Sequence, residues 1–113
     1  MANTFLNAKS DLTTTDLTTV YTVPTATTAI VKSILVSEDA GSGTTIDVTL
    51  VDASGNIFSL FKAKAVGSNT TVELLTQPLV LEESEVLKVQ AAQANELHVV
   101  ASILQVKPRQ VVT

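Results

Sequence analysis

His98 is the only histidine among 113 residues, and the chain has no cysteine. A thiolate nucleophile, a cysteine metal site and a disulfide framework are therefore excluded. A zinc or copper site built on imidazole needs partners that are missing, so His98, flanked by Leu97 and Val99, reads as a packing or surface histidine. Serines are plentiful, but none lies in a Gly-x-Ser-x-Gly setting that would expose a nucleophile on a sharp turn. Glu82, Glu83 and Glu85, or Asp47 and Asp52, could offer oxygens to a hard cation, yet their spacing follows no calcium-loop pattern. The acidic run reads instead as a solvated turn. "GSG" at 41–43 is a flexible loop and not a phosphate cradle, because no lysine or helix start follows it. Lys107 and Arg109 are too few for a nucleic-acid patch, although they could pair with the acidic turn of a neighbour. We expect no catalytic residues, no metal and no cofactor.

The elements that would position these residues are strands. Thr and Val are abundant, and β-branched side chains suit a pleated surface. The pattern predicts strands at 17–23, 28–37, 45–51, 57–63, 70–75, 79–81, 86–91 and 96–106. Turn signals separate them, such as "DASGN" at 52–56 and "GSN" at 67–69. This predicts an all-β fold, an antiparallel β-sandwich of jelly-roll type with seven to eight strands. Residues 1–16 show no sustained period and read as an N-terminal arm; 17–107 make the sandwich, and 108–113 a short tail.

The net charge of −4 disfavours phosphate backbones and anionic membrane surfaces as partners. No secretory leader or membrane-spanning helix is expected from the sequence, and "NTT" at 69–71 reads as a chance match to a glycosylation acceptor. Aromatics amount to Phe5, Tyr21, Phe58 and Phe61, few for a module that stacks sugars or bases.

Two strands carry apolar residues on both sides. Strict alternation puts Ile30, Ile34 and Val36 on one face and Val31 and Leu35 on the other. The last strand repeats this, with Leu97, Val99, Ala101 and Ile103 opposed to Val100, Leu104 and Val106. A second apolar row needs cover: the terminal arm, a neighbouring subunit, or both.

"TTVYTVPTATTAIVKSILVS" at 18–37 and "PLVLEESEVLKVQAAQANELHVVASILQV" at 78–106 together resemble small virion structural proteins of tailed bacteriophages, especially those of cyanobacterial and marine phages. The likeness runs from Leu17 through most of the chain and includes a Tyr-x-Val-Pro signature at Tyr21 to Pro24. Ser84 stands where the pattern has a glycine. The resemblance implies a non-enzymatic particle component. The preferred role is a capsid decoration, or cement, protein on the virion exterior; a neck, tail or baseplate component, or a host-surface or glycan-binding module, is the alternative. It implies two partners, the major capsid protein and further copies of the chain, as a trimer by preference or a dimer. Contact is expected through Val31, Leu35, Val100, Leu104 and Val106, with Phe5 and Leu6 as arm anchors.

Overall fold

In a computed structural model that describes residues 3–107, the chain forms nine strands: β1 (Asn3–Leu12), β2 (Thr18–Thr22), β3 (Thr28–Glu38), β4 (Thr44–Val51), β5 (Ile57–Val66), β6 (Thr71–Glu73), β7 (Leu79–Leu81), β8 (Val86–Ala91) and β9 (Leu97–Val106). One sheet has the order β1, β9, β3, β6, with β7 also paired to β3; the other runs β2, β8, β4, β5. All pairings are antiparallel. Since β6 and β7 share one position beside β3, these are two four-position sheets, and their strand order is that of a jelly roll. The interruption between β6 and β7 has a local cause. Leu74 turns inward, 5 % exposed, and its N–H donates to the Ile34 carbonyl at 2.9 Å, after which Pro78 precedes β7.

Alternation produces the core. On β8, Leu87, Val89 and Ala91 point inward while Val86, Lys88 and Gln90 do not. On β4, Ile46 and Val48 are fully buried. From the facing sheet, Val31, Ile34, Val36, Leu97, Val99 and Ile103 meet them. The Tyr-x-Val-Pro stretch belongs here as well. Tyr21 and Val23 are buried, the Tyr21 hydroxyl accepts the Gln105 side-chain amide at 2.6 Å, and Pro24 lies just beyond β2.

The expected N-terminal arm is corrected in its described part. Residues 3–12 are an edge strand paired with β9 along its whole length, from Asn3 against Val106 to Leu12 against Leu97. Leu12 is 1 % exposed and belongs to the core. The strand was hard to read because its inward positions are Leu6, Ala8, Ser10 and Leu12, a weak apolar series, while Phe5 faces out. The expected tail at 108–113, with Arg109, lies outside the described residues.

The turn at 82–85 is also more than a solvated acidic run. The Glu85 N–H donates to the Glu82 carbonyl at 3.0 Å, and the Glu85 side chain accepts the Glu82 N–H at 2.7 Å. The Ser84 N–H donates to the Val23 carbonyl, and the Glu83 carboxylate accepts the Ala26 N–H. Two of the acidic side chains thus satisfy backbone donors, and one of them holds the β2–β3 loop in place.

Candidate interaction surface

His98 sits near the start of β9, on its outward side. Its Nε2 lies 3.2 Å from Asp11 on β1, and its Nδ1 lies 3.6 Å from Asp39 in the β3–β4 loop. The two carboxylates face opposite edges of the ring, so they cannot share one ion with it. Its role is to tie the edge strand to a loop. Among the described residues no group of three His, Asp or Glu side chains is placed to hold a metal ion.

The same end of the sandwich contains the most unusual carboxylate of the chain. Glu38, 2 % exposed, ends β3, and its oxygens accept the N–H groups of Ala40, Gly41, Ser42 and Asn69 at 2.8–3.3 Å. The Asn69 N–H does most to hold its pKa down, to about 2; burial opposes it, and the Gly41 and Ser42 N–H groups add to the lowering. Glu96, also buried, accepts the Ser42 hydroxyl, and its carbonyl accepts the Asp39 N–H at 3.3 Å. Three loops are therefore knotted around two carboxylates. Every oxygen contact is internal, which is the chemistry of a loop clamp.

The outward face of the β1, β9, β3, β6/β7 sheet is different in kind. Residues directly opposite each other in an antiparallel pair share a face. Phe5 pairs with Leu104, Leu104 with Ile30, and Ile30 with Val80, so four apolar side chains line up across four strands. Phe5 is 74 % exposed and Val80 55 %, at the two ends of the row. A second row reads Lys9, Val100, Leu35, Glu73, with Leu35 38 % exposed. Between them lies a polar row of Asn7, Ser102 and Ser33, with the exposed Lys32 beside it. The Glu73 carboxylate is pushed up by burial, but the Ser33 hydroxyl and the N–H groups of Ile34 and Leu75 outweigh that and lower its pKa. The opposite sheet is more mixed: its outward rows pair Asp47 with Gln90 and Thr49 with Lys88, and one shorter apolar row runs Val86, Val51, Ile57, with Ile57 66 % exposed. Asp47 is occupied there, accepting the Ala63 N–H at 2.7 Å and lying 3.7 Å from Lys62.

Of the residues expected at a contact, Phe5, Leu35, Val100, Leu104 and Val106 share this outward face. Val31 does not, and is corrected: it is fully buried in the protomer. The cause is a β-bulge. Register shifts between Val31 and Ser33, leaving Lys32 unpaired, so alternation restarts one residue late. Val31 therefore joins Ile34 and Val36 inside, and Ile30 joins Leu35 outside. Leu6 is corrected likewise; it stands opposite Ile103 on the inward face and packs against the core. Ile30 and Val80 were missed. A bulge has no signature in an apolar run, and "LVL" is too short to show which of its members faces out.

No protein-family model matches the chain, and no curated protein does. Among solved structures, it is similar to a chain in the cryo-EM structure of the virus-like particle of giant freshwater prawn Macrobrachium rosenbergii extra small virus. That likeness covers 96% of this chain and 80% of the other, at 12% identity and a TM-score of 0.46. It is similar to the C-terminal family 22 carbohydrate binding module of a Clostridium thermocellum protein over 80% of its length and 60% of the module's chain, at 22% identity and a TM-score of 0.43. It is also similar to a chain of infectious bursal disease virus, Gt strain, over 95% of its length and 31% of the other's, at 8% identity and a TM-score of 0.44. The jelly roll itself rests on the strand order.

Proposed function

We propose that this chain is a non-enzymatic virion structural protein that works through its outward apolar sheet face, as a capsid decoration protein on the particle exterior. The observation that carries this reading is the in-register row of Phe5, Leu104, Ile30 and Val80 on a sheet whose other face is already filled by a closed core. Apolar area of this kind is worth about 25 cal/mol per Å² when covered, which suits a protein that strengthens a joint by contact area. The sequence resemblance from Leu17 onward supports the particle assignment.

Two observations weigh against the glycan-binding alternative. Phe5 and Phe58, the two exposed aromatics, lie on different sheets and form no common stacking platform. The polar groove near Thr15, Asp47 and Gln90 has its carboxylate committed internally.

Quantitative mass spectrometry and cryo-EM of purified virions test the reading. Hundreds of copies, with density on the outer shell, are expected. A few to a dozen copies at the neck, tail or baseplate would overturn decoration in favour of those sites. Particles lacking the chain would end the virion assignment altogether.

A further inference from the structure

We propose that a second copy of this chain covers the apolar face, related by a two-fold axis parallel to the strands and midway between β9 and β3. This deepens the assembly reading above and rests on it. Such an axis lays each row over itself with the strand order reversed. Leu104 then meets Ile30 of the other copy, and Val100 meets Leu35, in the four positions nearest the axis. Farther out, Phe5 falls on Val80, apolar on apolar. At the ends of the second row, Lys9 of each copy falls on Glu73 of the other, so the pair of copies carries two opposite-charge contacts.

The register decides the direction of the axis. An axis perpendicular to the strands, through the polar middle row, would reverse the order of rows. It would set the Phe5 row against the Lys9 row and leave Lys9 and Glu73 facing apolar side chains without each other. The parallel axis also puts Ser102 on Ser33, polar on polar. Aligned sheets cross at about 30°, and the long Lys9 side chain absorbs the resulting offset at the rim.

The area suffices. Three strands of ten or eleven residues and the two three-residue strands β6 and β7, about 4.8 Å apart at about 3.4 Å per residue, present about 600 Å² per copy. The total of about 1,200 Å² reaches the lower end of the range of stable interfaces, about 1,200–2,000 Å². One isologous contact accounts for the whole face, so the structure favours this dimer over the trimer that the resemblance implies.

Light scattering and sedimentation on the full chain test this at high micromolar concentration. The expected mass is twice 11.9 kDa. Lys9→Glu and Glu73→Lys each place like charges opposite one another twice, and each should weaken self-association about tenfold or more. Mixing the two variants restores both attractive pairs, so a heterodimer of near wild-type affinity is expected. Should circular dichroism show Glu73→Lys to be unfolded, Glu73→Gln replaces it; its mixture with Lys9→Glu should still prefer the heterodimer. Leu35→Asp should abolish the dimer and leave the circular dichroism spectrum unchanged. A wild-type monomer or trimer overturns the proposal, as does a dimer indifferent to the charge variants. A monomer found on virions sinks the two-fold alone, whereas a dimer of a chain absent from virions sinks the particle assignment alone.

Discussion

Ser84 holds a φ of 68°, in the left-handed region, at the turn position where the sequence pattern leads one to expect a glycine. An L-residue there is strained by about 1–2 kcal/mol, partly offset by the greater unfolded-state freedom of glycine. Ser84→Gly should therefore stabilise the fold by about 0.5–1 kcal/mol, read as a raised midpoint in chemical denaturation. A lowered midpoint would show that the turn depends on the serine side chain. Glu38 makes a second prediction. Its carboxyl is held at about 2 when folded, below its ordinary value of 4.5, so the unfolded chain binds the extra proton between those values. Stability from Glu38 is fully present above pH 4.5 and is lost as pH falls towards 2. Asp52 and Glu73 are lowered as well and add losses of the same sign, so the Glu38 share is isolated by comparison with Glu38→Gln. That variant should be less stable at neutral pH, and its deficit should shrink as both proteins are melted at successively lower pH. A constant deficit would mean that the charge is not what holds the three loops.

At the scale of the element, β3 is the informative strand. Its bulge sends Val31 to the core and Leu35 to the outside, although both lie at odd positions of one apolar run. Val31→Ala should cost about 2 kcal/mol of folding stability, the loss of buried methyl groups plus the cavity left behind. Leu35→Ala should stay within about 0.5 kcal/mol in the dilute monomer, as surface substitutions do. Equal costs for the two would contradict the bulge. The edge strands differ in how they manage exposed backbone. β1 carries Lys9 and Asp11 outward, while β5 is kinked by two register shifts against β4 and has Ala63 at a φ of 51°. Charges and bulges of this kind discourage pairing edge to edge. They leave face-to-face contact as the route for the assembly proposed above.

Over the whole molecule, the two sheets divide the surface unequally. The sheet of β2, β8, β4 and β5 turns mostly polar rows to solvent, with one apolar row of Val86, Val51 and Ile57. The sheet of β1, β9, β3 and β6/β7 turns out an apolar row four strands wide and a second with Val100 and Leu35 at its centre. This asymmetry is the feature on which the proposed contact rests. The virion and two-fold experiments therefore belong to this scale, because they ask what a face does and not what a residue does. The loop clamp at Glu38 and the His98 tie lie at one end of the sandwich, where they brace the loops and leave the apolar rows free.

By itself, the sequence determined that the chain is all-β, where eight of its nine strands lie, and that more apolar side chains are present than one core requires. Those properties follow from alternation and turn chemistry, which act over a few neighbouring residues. It did not determine that 3–12 is a strand, because an edge strand with Ala8 and Ser10 inward draws its order from pairing with β9. Nor did it determine which apolar residues are outside. That depended on one unpaired residue, Lys32, which shifts the parity of everything after it, and on strands far apart in sequence coming into register. Tertiary structure decided both, since a row across four strands exists only once non-local hydrogen bonds have fixed their alignment.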